Sequence, residues 1–311
     1  LLGGAAGAFS VREVKSRTQF YRAIVWVSGT NIVAIASIEL FRSSPFSFLG
    51  KGCLLGLLNG FGSIFLAMGF LPIFERLFKL TTDITLLELS DLNRPILRTL
   101  ALEASGTFHH SLVVASLSEA AAQAIGAHPL LARVAAYYHD IGKLKKPEYF
   151  IENQIALKNP HDRLTPTMSS LIVSSHVKDG VEIARSEGLP REVVDAIASH
   201  HGTTLMVPFY EKAKAQGSEE RPSETDFRYP GPKPQTREVA IIMLADSIEA
   251  TTRSLEEPTA SRVKGVIRST TDRRLMEREL DESGLTLRDL SKIGATFLPI
   301  LMGVFHPRLD Y

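Results

Sequence analysis

Nine histidines are spread along this chain: His109, His110, His128, His139, His161, His176, His200, His201 and His306. Near neutral pH an imidazole transfers protons or ligates metals. His139 stands beside Asp140 in Ala135-Ala136-Tyr137-Tyr138-His139-Asp140-Ile141-Gly142-Lys143, at the end of an apolar helix. That pair places a nitrogen donor and a carboxylate within one turn, and two carboxylate oxygens can bridge two cations. Asp246 follows Ile241-Ile242-Met243-Leu244-Ala245. A carboxylate buried among such neighbours is costly unless a partner or a metal satisfies it. His110, His176 and the pair His200-His201 fall on three further predicted helices, so five helices can converge on one metal cage.

The remaining histidines are set apart by their neighbours. His128 precedes Pro129 and His306 precedes Pro307, which places both at turns or termini. The pair His161-Asp162 follows Asn159-Pro160, a loop signal. His109 is turned about 100° from His110 on a helix and is expected to pack or to support a ligand.

The elements that must position these groups follow from apolar spacing. Helices are predicted over 84–103, 107–126, 129–143, 168–188, 191–201, 204–215, 237–254, 259–281 and 287–304. Pro190 opens a helix after Gly188, and Ser283-Gly284 separates the last two. The stretch 216–235 holds four prolines and many charges and reads as a surface loop. No alternating run argues for a strand, so the fold class is all-α.

The composition is uneven. The chain has 311 residues and a net charge of +1, from 35 Lys and Arg against 34 Asp and Glu. That balance argues against a globally basic binder of DNA or RNA and against an acidic tail. The single cysteine, Cys53, excludes an intrachain disulfide and a thiolate cluster. Between residues 23 and 74 the charged residues are Glu39, Arg42 and Lys51, and 52–74 carries none. A 23-residue helix is long enough to span the hydrocarbon of a bilayer. The run 23–40 is weaker but also long enough, and residues 1–11 read as the end of another apolar helix. Recurrent glycines in these runs suit close packing in lipid. A buried soluble helix rarely runs so far without charge. The cluster Arg12, Lys15, Arg17 and Arg22, set against Glu13, places its loop on the cytoplasmic side by the positive-inside tendency. Two crossings then return the chain to the cytoplasm near Glu75, Arg76 and Lys79. The expected organisation is a membrane region over 1–80, with the lipid bilayer as its partner, and a soluble domain over 81–311. Leu1 in place of Met is expected of a piece of a longer protein, and homodimerisation through the membrane helices is a plausible assembly.

The ordered set of motifs resembles an HD-domain phosphohydrolase. The matching residues are Gly106-Thr107-Phe108-His109-His110-Ser111-Leu112, Tyr137-Tyr138-His139-Asp140-Ile141-Gly142-Lys143, Ser175-His176-Val177-Lys178-Asp179-Gly180, His200-His201-Gly202-Thr203, Asp226-Phe227-Arg228-Tyr229-Pro230-Gly231-Pro232-Lys233-Pro234 and Met243-Leu244-Ala245-Asp246-Ser247. More narrowly, the chain is similar to the seven-transmembrane receptor HD family, which includes the PgpH-type cyclic-di-AMP phosphodiesterases. The resemblance spans 80–311, with apolar helices in the expected place before it.

The resemblance implies a bacterial, multi-pass inner-membrane protein with its HD domain in the cytoplasm. It implies two divalent cations, one held by His110, His139, Asp140 and Asp246, the other by Asp140, His176, His200 and His201. This nitrogen-rich, carboxylate-bridged set suits Mn or Fe, with Zn less favoured. The implied reaction is metal-assisted attack of water on a phosphodiester, with a cyclic dinucleotide, cyclic-di-AMP first, opened to the linear form. Asp140 and Lys143 are the catalytic candidates, Lys143 one turn beyond the bridge and able to meet a phosphate oxygen or to be a solvated helix end. Arg228 and Tyr229 are the substrate-binding candidates, able to pin a phosphate or stack on a base. Phe108 stands where the family commonly has Tyr. Two other readings stay open: a nucleotide-binding receptor module without turnover, and an HD hydrolase acting on another nucleotide.

Overall fold

Long apolar runs and long amphipathic ones build different kinds of helix, and this chain contains both. A computed structural model describes residues 1–11, 18–154, 159–216 and 222–305. The chain divides into one unit of Leu1–Glu88 and another of Leu89–Tyr311. Arg12, Glu13, Lys15, Arg17 and His306 lie outside the described residues.

The first unit is built on α1 (Leu2–Ser10), α2 (Thr18–Phe41) and α3 (Phe46–Phe78). The 33 residues of α3 extend roughly 50 Å at 1.5 Å per residue. Both α2 and α3 are long and apolar enough to cross a membrane, and their most apolar stretches are only 11% and 17% buried. Trp26, Phe61 and Phe65 all face outward. That exposure rules against the core helix of a soluble protein, which hides such side chains. The two helices meet through small residues. Gly52, Gly56 and Gly60 recur every fourth residue on α3, and an added Cβ on them would press on Ile35, Asn31 and Ser28 of α2. Asn31 Nδ2 donates to Asn59 Oδ1 across this face at 3.1 Å, the polar link that membrane helix pairs use.

The second unit is all-helical, and among the described residues it contains no strand. After α4 (Asp83–Leu89) come α5 (Pro95–Glu103), α6 (Ser105–Ile125) and α7 (Pro129–Tyr138). Then follow α8 (Pro166–Ser186), α9 (Arg191–Ser199), α10 (Val207–Ala215), α11 (Arg237–Arg253), α12 (Ala260–Met276) and α13 (Leu287–Val304). The core is built round α11, where every residue from Val239 to Ala245 is buried. It packs with Val114 and Leu117 of α6 and Phe297 and Leu301 of α13. An all-round apolar helix belongs at the centre, so α11 carries Asp246 into the interior.

Three sequence expectations are corrected. The predicted helix 84–103 is two helices, α4 ending at Leu89 and α5 starting at Pro95, which lacks the N–H to continue a preceding helix and suits the first turn of a new one. The predicted helix 129–143 stops at Tyr138, and Ile141–Lys145 winds as a tighter 3₁₀ turn. The cause is a close crossing: a Cβ on Gly142 would overlap the His176 carbonyl oxygen of α8, so the chain must leave its helical path there. The stretch 216–235 is not simply a surface loop. Phe227 is buried, and Leu205 and Arg228 form an isolated antiparallel bridge; residues 217–221 lie outside the described ones.

Candidate metal centre

Three of the imidazoles are aimed by their own helices. His139 Nδ1 donates to Ala136 O at 2.7 Å, His176 Nδ1 to Val173 O at 2.6 Å and His200 Nδ1 to Ile197 O at 2.8 Å. A carbonyl only accepts, so each Nδ1 carries the proton and each Nε2 offers a lone pair. All three Nε2 atoms face Asp140: His139 lies 3.2 Å from Oδ2, and His176 and His200 lie 3.4 and 3.7 Å from Oδ1. On the other side His110 Nε2 sits 3.1 Å from Asp246 Oδ1 and 3.8 Å from Asp140 Oδ2. His201 Nδ1 lies 3.5 Å from Asp246 Oδ2.

These separations are mostly too long for good hydrogen bonds. They match donors sharing one cation, which at about 2.0–2.2 Å from each ligand stand roughly 3–4 Å apart. The donors form two groups, Asp140 with His176, His200 and His201, and His110 with His139 and Asp246. Asp140 lies between the groups, with one oxygen toward each. The fit to cations is decided by atoms left unsatisfied. His139 Nε2 and Asp140 Oδ1 are buried, and among the described residues neither makes a hydrogen bond of good geometry; Asp140 Oδ2 meets the Lys143 ammonium at 2.7 Å. His176 Nε2 and His200 Nε2 face each other at 3.5 Å, lone pair against lone pair. Such a cluster is expensive empty and is satisfied by positive charge at its centre.

The description "HD domain" matches residues 107–251, and "7TM receptor with intracellular HD hydrolase" matches residues 1–82. The whole chain is 43% identical to the cyclic-di-AMP phosphodiesterase PgpH of Bacillus subtilis (strain 168) and 40% identical to that of Listeria monocytogenes. It spans 44% and 43% of their lengths. The crystal structure of the L. monocytogenes PgpH HD domain in complex with cyclic-di-AMP is matched over its full length and 70% of this chain, at 45% identity and a TM-score of 0.65. The chain belongs to the seven-transmembrane receptor HD family.

In this member of the HD family the groups round the donors are tightly held. Lys143 Nζ lies 2.7 Å from both Asp140 Oδ2 and Glu152 Oε1, so it is no solvated helix end. Glu152 also accepts from Thr107 Oγ1 at 3.1 Å, fastening the turn after the His-Asp pair to the start of α6. Tyr229 stacks on His201 with ring centres 4.2 Å apart. Arg228 lies on the outer side of the same turn, its guanidinium donating to Thr203 O at 3.0 Å and to Glu224 at 2.9 Å. The structure thus brings Tyr229 against the donor cluster and commits Arg228 to holding the turn. His128 accepts from Leu131 N and begins α7, and His161 Nε2 donates to Tyr149 O within a small aromatic cluster. Neither belongs to the two donor groups.

The charges are those of a cation site. Burial pushes the His176 imidazole down to about 4 and holds His201 well below its ordinary value. Both stay neutral, as ligands must. Burial pushes Asp140 up, but His139 and Lys143 outweigh it and keep the carboxyl well below the usual range. His110 differs: burial opposes its charge, yet hydrogen bonds to Asp246 and Glu249 lift it to about 10, so a cation ligated there must displace a proton from the ring.

Two buried acids here are absent from the sequence reading. Glu249 is fully buried, and its Oε2 lies 2.5 Å from His110 Nδ1. It is the carboxylate behind a ligating imidazole that fixes the ring and its tautomer. Its signal was spacing, since Glu249 follows Asp246 by three and shares its face of α11. Glu279 accepts from Thr203 N at 3.0 Å and secures the turn after His201. Gly202, with φ +55°, permits that contact, because a Cβ would overlap the Glu279 carboxylate. No local signal links Glu279 to a turn 76 residues away.

Proposed function

We propose that this chain is the catalytic portion of a membrane-anchored, metal-dependent phosphodiesterase that opens cyclic-di-AMP to linear pApA. One observation carries the reading. Asp140 is a buried carboxylate shared by two groups of imidazole and carboxylate donors, in a unit 45% identical to an HD domain solved with cyclic-di-AMP. His110, His139, Asp140 and Asp246 would hold one cation, and Asp140, His176, His200 and His201 the other. Bound Mn or Fe would supply Lewis acidity to a phosphodiester and lower the pKa of a water enough for attack at neutral pH. A water O–P bond forms and a P–O3′ bond breaks, leaving a 5′-phosphate and a 3′-hydroxyl. The residues do the rest. Lys143, kept charged by Asp140 and Glu152, stands beside the shared carboxylate as a cation for a phosphate oxygen or the leaving group. Tyr229 offers a ring on which a base stacks, and Arg228 holds the loop that presents it.

On this reading residues 1–80 anchor the chain in the bacterial inner membrane and 81–311 work in the cytoplasm. An impermeant thiol reagent applied to intact cells is expected to label Arg42→Cys and spare Arg191→Cys, both in a Cys53→Ser background. The reverse pattern contradicts the orientation. The activity is tested by incubating the detergent-solubilised chain with cyclic-di-AMP and Mn. Linear pApA is expected. Binding without product, across Mn, Fe and Zn, favours a receptor module instead, and turnover of mononucleotides alone favours another HD reaction.

A further inference from the structure

The cavity of about 100 Å³ over the donor cluster is lined in part by a guanidinium, that of Arg253, with no role in the site so far. His110, Lys143, Asp246 and Arg253 all line it. Asp246, Glu249 and Arg253 stand at i, i+3 and i+7 on α11 and so share one face. Glu249 joins two of the groups, with Oε2 on His110 Nδ1 and Oε1 accepting from Arg253 Nε at 3.0 Å and from Nη2.

That grip fixes the guanidinium by one edge. Arg presents five N–H donors in a rigid fork. Nε and Nη2 are used, and among the described residues Nη1 has no protein partner. The side chain is 36% exposed, so its outer edge is open to a ligand. The acids on this wall are already engaged. Glu152 is paired with Lys143, Asp246 faces His110 and His201, and Glu249 is held between His110 and Arg253. A guanidinium pre-aligned on one edge, with no acid before the other, suits a phosphate oxygen.

We propose that Arg253 binds the second, uncleaved phosphate of the substrate. This rests on the cyclic-dinucleotide reading. Such a ring carries two phosphodiesters, so placing one at the cations fixes where the other must lie. A bound anion at the rim then selects two-phosphate ligands over simple diesters, which present nothing to it.

The test uses the full chain in detergent with Mn and compares Arg253→Gln and Arg253→Lys with wild type. The measurements are kcat/KM on cyclic-di-AMP and on bis(p-nitrophenyl) phosphate, pApA affinity by calorimetry, and Mn content by elemental analysis. Arg253→Gln is expected to lower the ratio of the two kcat/KM values, and the affinity for pApA, by roughly ten- to hundredfold, with Mn retained and Lys recovering part of the loss. An equal fall on both substrates, a loss of Mn, or no change in the ratio overturns the assignment. Wild type that cleaves only bis(p-nitrophenyl) phosphate instead defeats the cyclic-dinucleotide reading, and the Arg253 assignment with it.

Discussion

At the residue scale, direction matters as much as identity. Three imidazoles spend Nδ1 on carbonyls of their own preceding turns, which leaves three acceptors converging on a fourth, Asp140. Protein groups alone do not satisfy that arrangement, so cation binding stabilises the folded unit by mass action. His110 differs, since its Nδ1 rests on Glu249 instead of a carbonyl. Glu249→Ala is therefore expected to weaken Mn binding about 10- to 100-fold. Glu249→Gln, which still accepts from Nδ1, should weaken it less, and equilibrium dialysis measures both. His128→Ala, at a helix start outside both donor groups, should leave turnover nearly as it was. Equal Mn binding by Glu249→Ala and wild type contradicts the positioning role. Types and motifs made the donor residues legible in sequence. Glu279 was not, because a supporting carboxylate has no motif and is known by what it touches, and Glu249 offered only its three-residue spacing from Asp246.

At the element scale, the site exists because helices end or cross in particular places. The boundaries of α13 match the sequence expectation, because Thr286 and Asp289 cap each other's backbone in a capping box. The end of α7 does not, because what stops it is tertiary. Gly142 passes against the backbone of α8 at His176, where a side chain has no room. Apolar periodicity continues through that point and hides the break. Gly142→Ala is expected to cost about 1–3 kcal/mol or more, and to lower the thermal midpoint by about 2–4 °C per kcal/mol. Scanning calorimetry checks this, and an unchanged midpoint means the crossing is looser than described. The 216–235 stretch was misread for a related reason. Proline and charge signal a loop, but the buried Phe227 and the stacked Tyr229 fold its second half onto the site.

At the scale of the whole molecule, two environments select two kinds of helix. The first unit leaves Trp26, Phe61 and Phe65 exposed and joins its helices through glycines and Asn31–Asn59, as lipid favours. The second buries α11 from Val239 to Asp246 and, with it, carries Asp246 and Glu249 inward. Charge distribution points to a boundary at 80/81, whereas the compact units divide after Glu88, because all but the last residue of α4 belongs with the helices before it. The central claim is that one carboxylate, Asp140, holds two cations together. Elemental analysis of anaerobically purified chain, wild type beside Asp140→Ala, tests it most directly. About two Mn or Fe per wild-type chain and near none in a folded Asp140→Ala are predicted. A variant that keeps its full complement of metal contradicts the account.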